Sequence, residues 1–262
     1  MKIVFISNYF NHHQKPFSDC MYNLIGDNYS FIETQPIEEE RLKMGWGGEE
    51  KPSYVKRNYI DENSHEECKK IIDDADVVIF GSAPYGLLKN RLKQKKLTIF
   101  YSERIYKKSF EWYKYPLRLI RHYLRRGRYK NTYLLCASAY AASDYSKTFL
   151  FLNRAYKWGY FPEVKRYDDI DKIIREKKPN SILWTARLID WKHPELAIAV
   201  AKRLKQDGYN FKLTMIGVGE LEEDIKILIK KENLTDYIEM AGAMTPEQVR
   251  EYMEKSEIFL FN

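Results

Sequence analysis

The run Ser181-Ile182-Leu183-Trp184-Thr185-Ala186-Arg187-Leu188-Ile189-Asp190-Trp191-Lys192-His193-Pro194 decides the fold. Its first five residues are a short apolar stretch that predicts a buried strand. A polar loop over 186–193 follows. Pro194 then opens an apolar-periodic helix that continues through Leu204. Strand, loop and helix in this order make the unit of an open α/β sheet, and such sheets bind ligands at the carboxyl ends of their strands. Arg187 and Lys192 are two cations five residues apart in that loop. A guanidinium forks two phosphate oxygens, and an ammonium adds a compact second charge. The helix N-terminus adds N–H groups and the positive end of its dipole. The loop is thus predicted to hold a diphosphate. Its bland alternative is a pair of solvated surface cations.

Working outward from this stretch, the same pattern repeats. A strand over 211–216 leads to Gly217-Val218-Gly219 and a helix over 220–231, whose apolar face is Leu221, Ile225, Leu228 and Ile229. A strand over 237–240 leads to Gly242 and a helix over 245–255. Thr245 and Gln248 form a capping-box pattern there, with Pro246 at the first helical position. A strand over 258–261 is last. By analogy with half a dinucleotide-binding sheet, these four strands are predicted to order 3-2-1-4. Gly217 and Gly219 let a backbone approach a ligand closely, but they do not make a full dinucleotide fingerprint. No NAD site is read.

The first half also alternates. Strands are predicted over 2–7, 29–34, 76–80, 97–101 and 132–137. Helices are predicted over 17–26, 65–73, 111–126 and 139–150, with a glycine-containing loop over 38–53. The expected architecture is α/β, with two Rossmann-like doubly wound domains. The first covers 1–162. A charged linker over 163–179, helical at 170–176, leads to the second, 180–262, which is expected to be incomplete.

Composition agrees with a globular chain: 262 residues, 44% apolar and 31% charged. Cys20, Cys68 and Cys136 lack metal-like spacing, and an odd count without a leader-like segment fits a reduced, cytoplasmic setting. No run reaches the length of a membrane span. The net charge of +7 is uneven. Residues 89–130 hold fifteen Lys/Arg and two Glu, a local +13, so the remainder carries −6 by difference.

Residues 181–262 resemble the donor-binding domain of retaining glycosyltransferases of the GT4 type, which have the GT-B fold. The pieces that match are Ala186-Arg187-Leu188 with Lys192-His193-Pro194-Glu195, then Leu213 to Gly219, Ile238 to Gly242, Thr245-Pro246-Glu247-Gln248-Val249, and Glu257 to Phe261. The resemblance implies that Arg187 and Lys192 bind the diphosphate of a UDP- or GDP-linked sugar. It implies that Gly217 and Gly219, with Gly242 and Met244 near the nucleobase, line the donor pocket. It implies transfer with retention to a glycan or lipid-linked acceptor bound by the first domain. No metal and no further cofactor are implied, since the two cations serve the leaving group.

Two departures stand out. The family's glycine-rich loop after the first strand is replaced by Asn8-Tyr9-Phe10-Asn11-His12-His13-Gln14. His12 and His13 are candidate acceptor-binding residues there, with incidental surface as the alternative. The family's Glu-x7-Glu motif would follow the last strand, and the sequence ends before it. A truncated, feebly active form of a longer enzyme is expected on that account, with a degenerate natural protein as the alternative. After the strand over 97–101, Glu103 is a candidate catalytic residue and Arg104 a candidate acceptor contact; the alternative is a Glu–Arg surface pair.

Residues 104–130 hold ten Lys/Arg and one Glu, interleaved with aromatic and aliphatic residues. Lys107, Lys108, Trp112, Arg118, Arg121, Arg125 and Arg126 are candidate contacts to an anionic membrane, peripheral on its inner face. Nucleic acid attracts the same charges but is not the preferred partner, and a solvated basic face is the bland reading. Two other functions stay open: a sugar-nucleotide epimerase on the same fold, and a non-catalytic basic binding module.

Overall fold

The computed structural model describes residues 1–43, 45–46, 51–105, 113 and 115–261. Its contacts divide the chain into two units, Met1–Pro36 with Glu49–Val164, and Ile37–Gly48 with Lys165–Asn262.

The first unit begins with β1 (Ile3–Ser7), α1 (Lys15–Ile25) and β2 (Tyr29–Glu33). After α2 (Glu39–Lys43), which belongs to the second unit, come β3 (Val55–Arg57), α3 (Glu62–Asp74), β4 (Val77–Phe80), α4 (Lys89–Lys93) and β5 (Leu97–Ser102). They are followed by α5 (Tyr115–His122), β6 (Thr132–Cys136), α6 (Ala141–Ser146) and β7 (Ala155–Lys157). All seven strands are parallel, in the order β3-β2-β1-β4-β5-β6-β7. Every residue of β1 is buried, as a central parallel strand covered on both faces requires. One core, built on Ile6, Ile72, Phe80 and Leu134, fills one face of the sheet, and a second, built on Phe5, Phe31 and Tyr29, fills the other.

The second unit contains α7 (Ile170–Arg175), β8 (Lys178–Thr185), α8 (Pro194–Gln206), β9 (Lys212–Ile216), α9 (Glu222–Lys231), β10 (Ile238–Gly242), α10 (Pro246–Lys255) and β11 (Ser256–Phe259). Its four parallel strands order β10-β9-β8-β11, the expected 3-2-1-4. Trp184 of β8 sits at the centre of its core with Ile198, Leu213 and Met215. The expected capping box forms in full. Thr245 Oγ1 accepts from the Gln248 N–H at 3.3 Å, and Gln248 Oε1 accepts from the Thr245 N–H at 3.0 Å.

Several expectations are corrected. β3 and β7 were not expected; both are three-residue edge strands, too short to show a period. The loop expected over 38–53 contains α2, a single turn and a half. In the stretch expected as a linker, α7 falls where a helix was expected, and β8 begins three residues before the expected strand, at Lys178. The helix expected over 111–126 begins partly outside the described residues; the described part is α5, then one wide π turn at Tyr123–Gly127.

The basic segment also supplies a core residue. Arg91 is fully buried. Its guanidinium donates to the carbonyls of Ile72 (2.9 Å), Ala75 (2.6 Å), Asp76 (2.9 Å) and Leu97 (2.5 Å), and to Thr98 Oγ1 (3.2 Å). It ties the end of α3 to the starts of β4 and β5. Burial pulls its pKa down to about 10, opposed by Asp73 and Asp76, so the charge persists at neutral pH. Arg91→Met removes all five hydrogen bonds of a buried guanidinium and is expected to cost about 3 kcal/mol or more in urea unfolding. Arg91→Lys, with a point charge in place of a fork, is expected to recover only part of this.

Candidate functional site

In the second unit the carboxyl ends of β8, β9 and β10 are joined through backbone hydrogen bonds. The Ala186 N–H donates to the Ile216 carbonyl (3.2 Å), and the Leu188 N–H to the Val218 carbonyl (3.0 Å). The Gly217 N–H donates to the Gly242 carbonyl (2.8 Å), and the Leu221 N–H returns to the Leu188 carbonyl (3.0 Å). These bonds require two glycines. A Cβ on Gly217 would lie 1.9 Å from the Ala186 carbonyl oxygen, and its φ of +143° is closed to other residues. A Cβ on Gly219 would lie 2.4 Å from the Leu188 carbonyl oxygen.

This arrangement leaves polar groups available. Among the described residues the N–H groups of Val218, Gly219 and Glu220 donate to no other protein group. These residues are at least partly exposed to solvent. Arg187 and Lys192, both half-buried, form no ion pair among the described residues. Arg187 lies 5.8 Å over the Trp191 ring, which the sequence reading did not single out. His193 caps α8 in the left-handed conformation (φ 46°), and its Nδ1 lies 3.0 Å from Glu195 Oε1. Arg187, Lys192, Gly217, Gly219 and Gly242 therefore belong to one connected set of loops. Met244 stands half-buried two residues past the end of β10. The set combines two cations with unsatisfied N–H donors and fits an anion.

In the first unit the loop after β1 is closed by Asn11 in place of glycines. Asn11 is buried; its side chain accepts from the His13 N–H (2.8 Å) and its carbonyl from the N–H groups of Gln14 and Lys15 (3.0 Å each). Buried Glu33 at the end of β2 accepts from the Phe10 N–H (2.6 Å) and Lys51 Nζ (2.8 Å). The loop is thus held from both sides.

His12 and His13 have ring centroids 4.0 Å apart, and His13 lies 5.5 Å from Tyr160. Tyr160 donates to Glu103 Oε1 and packs edge-on against Tyr101 at 6.0 Å. Burial first, then the Glu103 carboxylate, push the Tyr160 phenol well above its ordinary value; burial lifts Tyr101 to about 12. His13 and Glu103 are thus brought together through a tyrosine that sequence reading missed. Its only signal was its place just after β7. Arg104 goes elsewhere: it forks Asp144, a buried carboxylate of α6, at 3.0 and 3.2 Å.

Of the candidate membrane contacts, Lys107, Lys108 and Trp112 lie outside the described residues. Arg126 is corrected: it turns inward, 4.9 Å over Phe100 and donating to the Tyr145 hydroxyl at 2.5 Å. Among the described residues, no cluster of three or more His, Cys, Asp or Glu is placed to hold a metal.

Residues 166–262 match the family model described as "Glycosyl transferases group 1". Over 83 residues, 32% of this chain and 20% of the relative, the chain is 36% identical to the amylovoran biosynthesis glycosyltransferase AmsK of Erwinia amylovora. Over 82 residues, 31% and 20%, it is 30% identical to the putative colanic acid biosynthesis glycosyltransferase WcaL of Escherichia coli strain K12. The matched stretch spans about a fifth of each curated relative's length. Among solved structures, Anabaena Alr3699/HepE in complex with UDP and glucose superposes with a TM-score of 0.66 at 11% identity, covering 100% of this chain and 74% of that one. The pneumococcal O-GlcNAc transferase GtfA in complex with UDP and GlcNAc gives 0.66 at 9%, covering 99% and 79%. At these identities the likeness establishes the fold, GT-B, with the second domain the smaller.

Gly217→Ala is expected to destabilise the second unit by about 3 kcal/mol, because the loop must move away from Ala186. Urea unfolding followed through Trp184 and Trp191 fluorescence measures the loss.

Proposed function

We propose that this chain is a glycosyltransferase that takes a sugar from a UDP- or GDP-linked donor and passes it to a glycan or lipid-linked acceptor. One observation carries this reading. Among the described residues, two cations without carboxylate partners share a loop set with three backbone N–H groups that donate to no protein acceptor. A diphosphate supplies the negative oxygens that such donors need. Sugar transfer develops charge on the same diphosphate as it departs, so donors fixed around it stabilise the transition state more than the ground state.

In this reading Arg187 and Lys192 hold the leaving diphosphate and do the work of a metal. Gly217, Gly219, Gly242 and Met244 line the donor pocket. The reaction proceeds with retention of anomeric configuration, as the resemblance to GT4-type enzymes implies. His12, His13 and Glu103 of the first unit face the acceptor, with Tyr160 setting the carboxylate. The match to the group 1 family model and the glycosyltransferase names of AmsK and WcaL support the reaction class.

The test is a thermal-shift and calorimetric titration with UDP, GDP and uridine. UDP or GDP is expected to raise Tm, and uridine much less. Arg187→Ala with Lys192→Ala is expected to weaken nucleotide binding at least about tenfold, since a charge-assisted hydrogen bond contributes roughly 1.5–3 kcal/mol. Unchanged diphosphate affinity in the double variant sinks the assignment.

A further inference from the structure

The helix α5 and the π turn after it are turned the opposite way from an ordinary surface helix. Tyr115, Leu119, His122 and Arg126 follow one another at helical spacing on one side. That side faces the protein. Tyr115 donates to the Lys147 carbonyl, His122 lies 6.4 Å from the Tyr145 ring, and Arg126 covers Phe100. Tyr85 donates to the Arg125 carbonyl and fixes the far end. Burial, then the surrounding arginines, push His122 down to about 4, so it is neutral at physiological pH.

The opposite side carries Tyr113, Leu117, Ile120 and Leu124, again at helical spacing, with exposures of 60%, 72%, 59% and 48%. No residue of α5 is buried. Arg121 and Arg125 are exposed beside this stripe. Residues 113–130 hold seven Lys/Arg and no Asp or Glu. A solvated helix would present its polar side outward. Here polar and aromatic groups hold the helix to α6, Phe100 of β5 and Tyr85, and an apolar stripe edged with arginines faces out.

We propose that this outward face docks on an anionic lipid surface, with Leu117, Ile120 and Leu124 entering the interface and Arg121 and Arg125 meeting the headgroups. The combination selects lipid over nucleic acid. Phosphates along a nucleic acid would satisfy the arginines but leave three aliphatic side chains in water, whereas a bilayer boundary takes both. An acidic protein partner would need an apolar patch of matching shape besides its carboxylates, whereas a bilayer boundary supplies both along its whole surface. The inference stands apart from the donor site, since no residue here belongs to it.

The experiment is co-sedimentation of the whole chain with phosphatidylcholine vesicles, with and without phosphatidylglycerol, over a salt series. Binding is expected with phosphatidylglycerol and is expected to fall as salt rises. Arg121→Gln with Arg125→Gln is expected to weaken it about thirtyfold, from the usual contribution of two cations at a charged bilayer. Leu117→Ser with Ile120→Ser is expected to weaken it at least about tenfold. Both pairs are exposed, so unchanged Tm shows that each variant is folded. Equal binding to phosphatidylcholine alone, full binding by the Leu117/Ile120 variant, or tighter binding to duplex or single-stranded DNA at the same salt each overturns the proposal. So does a dimer that covers the stripe and ignores vesicles.

Discussion

A backbone oxygen 1.9 Å from the place where Gly217 would carry a side chain is the constraint on which the second unit depends. It allows the loop after β8 and the loop after β9 to share hydrogen bonds as though the sheet continued past its last residues. The carbonyls of Ile216, Val218 and Leu188 are consumed in that join. The N–H groups of Val218, Gly219 and Glu220 are left over. A loop of ordinary residues would stand further off, and Arg187 would hang from a free segment. The anion-directed groups are therefore placed by the sheet and cost little further ordering when a ligand arrives.

The first unit reaches a comparable end by different chemistry. Its loop after β1 contains no glycine, and Asn11 and Glu33 hold the backbone instead. A buried carboxylate is expensive unless its oxygens are matched. Glu33 meets that condition at Oε1, which accepts from the Phe10 N–H and Lys51; Oε2 makes no hydrogen bond among the described residues and is balanced by the Arg57 charge 3.6 Å away. Such a loop is fixed rather than adaptable. It presents side chains, His12 and His13, where a glycine loop would present backbone.

Much of this was legible in the sequence, and the reason differs from element to element. The end of β8 and the start of α8 could be read because an apolar run, a polar loop and a proline mark them, and α8 spans Pro194–Gln206, two residues past the apolar period. The strand order followed by analogy with half a dinucleotide-binding sheet. The capping box at Thr245 could be read because both of its hydrogen bonds join residues three apart in sequence. Tyr160 and Asp144 could not be read. Their partners Glu103 and Arg104 are adjacent in sequence, yet they bond to residues 57 and 40 positions away. Arg91 was hidden for a related reason. A charge count treats every arginine as surface, and only the fold shows that one of them is enclosed by carbonyls.

The arginines of residues 89–130 thus divide by what their neighbours supply. Arg91 is balanced by carbonyl dipoles, Arg104 by a buried carboxylate, and Arg126 by aromatic faces. Arg121 and Arg125 are exposed without a carboxylate among the described residues, Arg125 lying 5.6 Å over the Tyr85 ring. Arg187 and Lys192 also lack one, but they are half-buried beside fixed N–H donors. This difference sets their response to salt. At physiological ionic strength charges in water are screened over about 8 Å, whereas partly enclosed charges are screened less. Attraction at Arg121 and Arg125 should therefore fade with rising salt well before the grip of Arg187 and Lys192 does. On the two proposals made above, salt would separate diphosphate binding from lipid docking without a mutation.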